Sequence, residues 1–351
     1  MSRCNVDFFD VHFNYVHHDS IETPDIDDDY LAPEASSILV GETDLIPEQG
    51  LILVRDNFTY LGVVENVQDE HYQTRVSFRS FLTLFDQPVL FQTSLQNDAS
   101  AISLEAEIKY LLEIYWKTSS DALQNIPINV TTTSTTTDWN LGILPNEDEG
   151  SWAIVNFYAD ILKTALLGYK IAVTIEPDLQ NMVVNMYVGA PSQTFTIDAD
   201  LPTIKINSFT INKMTSATNK LEIWNAANYT QNKYFYLHPD GTYDTTDSDR
   251  IEPVKLDVRA VTPADDQTFD QAAQEEADNT FRDISWTNYI ELDVDRNDMI
   301  VDPASLRIGQ IVNVLHNGSS YSTILTGKKL SYSYVLIFGT MRIDLTKKNK
   351  L

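Results

Sequence analysis

The sequence holds one cysteine, Cys4, in 351 residues, so no intrachain disulfide can form and no cysteine-based zinc site can be assembled. It also lacks any run of eighteen apolar residues, and its first residues, "MSRCNVDFFDVHFNYVHHDS", contain no uninterrupted apolar core. Neither a spanning helix nor a secretory leader can be read from such text. The expectation is a chain that folds in a reducing cytoplasm, with no stable membrane association. Positive charge is scarce as well: 24 Lys and Arg stand against 51 Asp and Glu, for a net charge of -27. A surface that negative repels a phosphate backbone, which argues against sequence-specific nucleic-acid binding but leaves room for a surface that DNA passes without sticking. What remains is globular in character. The 43% of hydrophobic residues, in a chain of this length, suffices for two or three domains with cores of their own.

Periodicity organises the chain. The segment 50–85 alternates apolar and polar residues in "LILVRD", "TYLGVVENV" and "TRVSFRSFLTLF", separated by polar breaks, and reads as an antiparallel meander. Residues 103–118, "SLEAEIKYLLEIYWKT", change to helical spacing behind Ser103 as N-cap. A second helix is expected in "WAIVNFYADILKTALLGY", closed by Gly168, and a third over 263–281, with Pro263 near its start. Strands are expected between them, with a hairpin turn at Asp240-Gly241. Residues 309–345 then repeat the layout of 50–85: a leading glycine, a strand of about six residues, a polar turn (here Asn317-Gly318) and two further strands. This reads as a duplicated β-barrel unit around an inserted α+β region.

The stretches "LRIGQIVNVLHNGSSYSTILTGKKL" and "VLIFGTMRIDLTKK" resemble the C-terminal barrel of bacteriophage tail hub proteins, the family of baseplate hubs and of the structural N-terminal part of tail-associated lysins. "ILVRDNFTYLGVVENVQDEHYQTRVSFRSFLTLFDQPVLF" resembles the first barrel of that family. The resemblance implies a mainly β fold with two tail-tube-like antiparallel β-barrels plus an intervening α+β domain. We expect a first β-barrel domain over 1–95, an α+β domain over 96–205, a joining hairpin and helix segment over 206–283, and a second β-barrel domain over 284–351. It further implies a homotrimer whose six barrels imitate a six-fold ring, placed at the virion tail tip after assembly in the host cytoplasm. The partners implied are the distal tail protein, other tail-tip or baseplate proteins and the tape measure protein. Lysins of the family carry a catalytic extension, and this chain stops at Leu351, so wall-degrading activity is expected in another protein. A distal tail protein, which would form a hexamer with one barrel per chain, is the nearest alternative; a carbohydrate-binding or carbohydrate-active β protein is the more remote one.

Residues that could carry chemistry have plainer readings. Asp25, Asp27, Asp28 and Asp29 have a calcium-loop spacing, but Tyr30 and Ser36 stand where such a loop needs Gly and Glu, so a solvated acidic loop is expected. Asp293, Asp295, Asn297 and Asp298 are a second near miss, read as a polar turn between strands. His17 and His18 are adjacent and face opposite sides of a strand, and His12, His71, His238 and His316 are scattered, so surface roles are expected for all six. Cys4 is expected in a mobile terminus. No Gly-x-Ser-x-Gly elbow or phosphate-binding glycine loop occurs. Trp116, Trp139, Trp152, Trp224 and Trp286 could stack on sugars but are expected in cores or interfaces. Lys347, Lys348 and Lys350 form a basic tail that discourages edge pairing by the last strand. No catalytic, cofactor-binding or metal-binding residue is assigned, and a non-enzymatic protein without cofactors is expected.

Overall fold

In the computed structural model, residues 3–339 are described apart from 48–49, 57, 97–101, 146–150, 203, 205, 214–217, 239–241, 249, 251, 265–266, 283–287, 296–300 and 302–304. The chain forms two compact units: Met1–Thr210 with Ile290–Phe338, and Ile211–Tyr289 with Gly339–Leu351.

Alternating residues near the N-terminus form β1 (Arg3–Phe9), β2 (Tyr15–Glu22), β3 (Ile26–Asp29), β4 (Ser36–Gly41), β5 (Leu51–Arg55), β6 (Thr59–Glu70) and β7 (Gln73–Ser80). Six of these make an antiparallel sheet in the order β2-β1-β5-β6-β7-β4. Val6, Phe8, Ile38, Val40, Ile52, Val54, Val76 and Phe78 are buried together, so the sheet curls around its own core. Its edges, β2 and β4, share no ladder among the described residues. They are drawn together by Asp19 Oδ2, which accepts the Gly41 N–H at 2.8 Å. Asp7, buried on β1, is held by His18 of β2 at 2.8 Å and by the Arg55 guanidinium of β5, so one desolvated carboxylate stitches three strands.

The middle of the first unit contains β8 (Pro88–Gln92), α1 (Leu104–Leu112), β9 (Ile128–Thr132), β10 (Trp152–Asn156), α2 (Lys163–Tyr169), β11 (Ala172–Asp178) and β12 (Val183–Gly189). As expected, α1 starts at Ser103, whose side chain accepts the Ala106 N–H; a π turn extends it to Lys117. The second expected helix is corrected in two places. Residues 152–156 are a strand paired with β8, because Ala153 and Val155 are buried while Trp152 and Ile154 are not, a period of two rather than 3.6. Helical geometry begins only after Asn156, whose side chain accepts the Ala159 N–H, and it ends at Lys170 with φ 62°, not at Gly168, which lies within α2. The Thr-rich loop after β9 is fixed by the fully buried Glu105 of α1. Its carboxylate accepts from Ser134 Oγ at 2.6 Å, Thr136 N at 2.8 Å and Thr136 Oγ1 at 3.0 Å.

After β13 (Thr194–Asp198) and β14 (Ile206–Lys213), the second unit contains β15 (Lys220–Asn225), β16 (Asn232–Leu237), β17 (Tyr243–Asp244), β18 (Leu256–Val261) and α3 (Phe269–Arg282). The sheet order is β17-β16-β15-β18, with β15 and β18 parallel. Ala273, Ala277 and Phe281 of α3 pack on Leu221, Ile223, Phe235 and Leu237; the two alanines let the helix approach closely. The β16–β17 hairpin forms, although its turn at Asp240-Gly241 lies outside the described residues. The third helix begins at Phe269, later than Pro263 suggests, with Thr268 Oγ1 accepting the Gln271 N–H.

The chain returns through β19 (Asn288–Asp295), β20 (Ile311–His316), β21 (Ser319–Leu330) and β22 (Ser333–Phe338). These form a sheet in the order β13-β20-β21-β22-β19-β14, with β3 added to β21. The pairs β20–β21, β21–β22, β22–β19 and β3–β21 are antiparallel, and β13 and β20 run parallel. The meanders β5-β6-β7 and β20-β21-β22 share several features, although residues 340–345 of the second layout lie outside the described residues. Both meanders have a twelve-residue central strand, β6 and β21. Both shift register in the middle of it, between Val64 and Asn66 and between Leu325 and Gly327. In both, the residue before the bulge donates to the carbonyl ahead of the first strand, Val64 to Gly50 at 2.8 Å and Leu325 to Gln310 at 3.0 Å. Asn317 and Gly318 have φ of 50° and 73°, as a tight primed hairpin turn requires.

Replacing Glu105 by Ala leaves three donors without their acceptor and is expected to lower stability by about 2–4 kcal/mol, read as a lower urea midpoint. Glu105→Gln, which keeps one acceptor oxygen, should lose less.

Candidate functional site

The candidate site is organised by the strand that spacing alone assigns to a loop. β3 lies antiparallel on the second half of β21, with Asp29 opposite Gly327, Asp28 opposite Lys328, Asp27 opposite Lys329 and Ile26 opposite Leu330. Two acids therefore face two lysines across the ladder, where opposite charges contribute about 0.2–1 kcal/mol per pair. The third acid faces glycine for a steric reason: a Cβ on Gly327 would sit 3.0 Å from Asp29 Cα and 3.2 Å from its Cγ. Asp29 is 2% exposed, and its Oδ1 accepts the N–H groups of Leu31 and Ala32 at 2.8 and 3.1 Å, turning the chain out of the strand. The expected solvated loop is thus corrected for Asp27, Asp28 and Asp29; only Asp25 is exposed, and it accepts from Ser331 Oγ.

Beside this clasp is a cleft lined by Asp28, Thr59, Tyr60, Ile175, Arg307 and Lys328. Its cations are engaged: Arg307 pairs with Glu176 at 2.9 Å, and Lys328 Nζ donates to the Leu306 carbonyl. Burial pushes Asp28 up to about 6; the Lys328 charge opposes this, and Asp27 and Asp29 add to it. Tyr60 is held well above its ordinary value, first by burial and then by the charge of Asp28. On α1, burial pushes Glu107 up to about 7. The arrangement is a polar joint between strands.

The other candidate residues are dispersed. His18, His238 and His316 each pair with one aspartate, Asp7, Asp244 and Asp200. His17 stacks on Phe8. Among the described residues, no group of three or more His, Cys, Asp or Glu could hold a metal ion. Cys4, expected in a mobile terminus, is instead 1% exposed in the core beneath β1. Trp116 and Trp139 are buried, Trp139 donating to the Ile102 carbonyl at 3.0 Å, while Trp152 is 39% exposed on β10 and Trp224 half-buried on β15. Asp293 and Asp295 lie on β19, Asp293 accepting from Asn207 at 3.1 Å. Asn297, Asp298, Trp286, Lys347, Lys348 and Lys350 fall outside the described residues. What sequence spacing missed is the clasp itself, for which the only signal was the match between "IDDD" and "GKKL" some three hundred residues later.

The raised value of Asp28 carries a sign. A carboxyl that holds its proton more tightly when folded supports stability below its unfolded value, and that support is lost as pH rises from about 4 to about 6. Asp28→Asn should therefore match the parent below pH 4 and exceed its melting temperature above pH 6, leaving the further fall due to Glu107 in place. Lys328→Met, which leaves Asp28 without its opposing charge, should melt lower than the parent at pH 7.

No family profile matches the chain, and no curated protein matches it in sequence. Solved structures do match it, over nearly the full length of both partners. The 43 kDa tail protein of prophage MuSo2 from Shewanella oneidensis superposes with a TM-score of 0.56 at 11% identity, covering 96% of this chain and 98% of its own. The tail protein from Neisseria meningitidis gives 0.57 at 12% identity, covering 96% of each. A chain of the phage P2 baseplate in its activated conformation gives 0.52 at 12% identity, covering 96% and 98%. Identity this low speaks to architecture alone. The fold of this chain, mainly β with a curled half-barrel sheet and few helices, is that of bacteriophage tail and baseplate proteins.

Proposed function

We propose that this chain is a structural protein of a phage-type tail and acts as the hub of its tail tip or baseplate. The observation that carries the reading is the pair of matched meanders in one chain, β5-β6-β7 and β20-β21-β22, each with a bulge near the middle of a twelve-residue central strand. Three such chains present six similar units, which suits a protein that adapts a six-fold tube to a three-fold tip. In this reading the first barrel domain spans 1–95 and the second 284–351, the latter completed by β3 and β13. The ring caps the tail tube, meets the distal tail protein and the tape measure protein, and leaves a passage for DNA. The protein performs no catalysis; its action is mechanical and electrostatic. On β19, Ile290, Leu292 and Val294 are buried while Glu291, Asp293 and Asp295 alternate with them on the other face. We place these three carboxylates towards the passage, where they repel the DNA backbone.

Single-particle imaging of the purified full-length protein tests the hub. A three-fold particle with six barrel lobes around an opening is expected. A six-fold ring with one lobe per chain would instead make it a distal tail protein. For the passage, particles carrying Glu291→Gln, Asp293→Asn and Asp295→Asn together should release DNA more slowly than the parent, most clearly at low ionic strength. Release at the parental rate would remove these residues from the lumen.

A further inference from the structure

We propose that the cleft beside the β3–β21 clasp binds one neutral sugar residue, a hydroxyl of which sits between Asp28 and Tyr60. The cleft has two lobes, of about 120 Å³ and about 370 Å³, which share Asp28, Thr59, Arg307 and Lys328. Together they have the size of a small-molecule site. Tyr60 of β6 lines the smaller lobe and is 3% exposed, and its buried hydroxyl has no hydrogen-bond partner among the described residues. A buried hydroxyl left unpaired is a cost that folding alone gives no reason to keep. Asp28 is the nearest source of charge at that hydroxyl, so the two groups are neighbours. Asp28 itself is half-buried, and no described residue donates a hydrogen bond to its carboxylate.

The charges of the cleft decide the class of ligand. Lys328 faces Asp28 across the ladder, and Arg307 pairs with Glu176 at 2.9 Å. An ammonium would therefore meet Lys328, and a carboxylate or phosphate would meet Asp28. A hydroxyl meets neither difficulty, because the same oxygen can donate to the carboxylate and accept from the phenol. Tyr30 brings a second phenol to the smaller lobe; its hydroxyl accepts from Val173 N at 3.3 Å and keeps its own proton to donate. Between these groups the walls are apolar, with Leu61, Ile175, Pro177 and Phe58. A sugar ring offers both kinds of surface, hydroxyls along its edge and C–H groups on its faces. The site lies within the first unit and does not rest on the hub reading.

Saturation-transfer NMR on the full-length protein at pH 7, with glucose and N-acetylglucosamine as separate probes, tests the site. A dissociation constant on the order of 1 mM is expected for at least one of them. Tyr60→Phe should weaken binding about fivefold and Asp28→Asn about tenfold, the larger loss belonging to the charged acceptor. Both variants should melt at or above the parent, since one deletes a hydroxyl without a partner and the other a desolvated charge. A purely structural role would give the reverse, lower melting with sugar binding unchanged. The proposal is overturned if neither sugar receives saturation, if both variants bind as the parent does, or if methylammonium or inorganic phosphate displaces the sugar. It is also overturned if Tyr60→Phe melts below the parent, because the hydroxyl then holds a structural water only. None of these outcomes bears on ring symmetry, which imaging reads separately.

Discussion

The first unit depends on four residues near its start finding four near its end. Ile26–Asp29 can be a strand only because Gly327–Leu330 supplies a ladder, two lysines and a glycine without a side chain in the way. Three consecutive aspartates would otherwise repel one another and stay in water. Once paired, they fix the position of Tyr30 and its neighbours. Tyr30 N donates to the Thr326 carbonyl at 2.9 Å, Tyr158 donates its hydroxyl to the Tyr30 carbonyl, and the Tyr30 hydroxyl accepts from Val173 N at 3.3 Å. Five residues thus touch the N-terminal sheet, the α+β region and the C-terminal sheet. The hydrophobic core agrees, since Ile26, Leu330 and Tyr334 are buried in one cluster with Val6, Phe8 and Phe78.

Much of this was legible in the sequence, and the limits have physical causes. Both meanders could be read because their alternation is strict and their turns carry polar or Asn-Gly signals, and α1 could be read because its apolar stripe follows a capping serine. Signals that act over long sequence separation could not be read. The parallel pairs β9–β12, β13–β20 and β15–β18 leave no local mark. Glu105 looks like an ordinary first-turn acid until Ser134 and Thr136 surround it. At "WAIVN", five residues of strand ran into helix without a break, and a helical window absorbed them. The acidic run has the local text of a solvated loop because the residues that pair with it, Gly327–Leu330, lie three hundred positions away.

The two meanders tie fold to proposed role. A bulge bends its strand and increases its twist, so a bulge in the middle of a twelve-residue strand lets one sheet curl back over its own core. The chain makes that device twice, and β3 crosses from the region of the first copy to complete the sheet of the second. A hub that must hold its shape under the load of a tail has reason to couple its two halves in this way, because neither sheet can then shift without breaking the ladder between Asp27–Asp29 and Gly327–Lys329.

Amide hydrogen exchange on the full-length protein tests that coupling most directly. The account predicts that Ile26–Asp29 is protected as long as Gly327–Leu330, and that Lys328→Glu shortens protection of both segments together. Exchange of Ile26–Asp29 at the rate of an open loop, while Gly327–Leu330 stays protected, would contradict it.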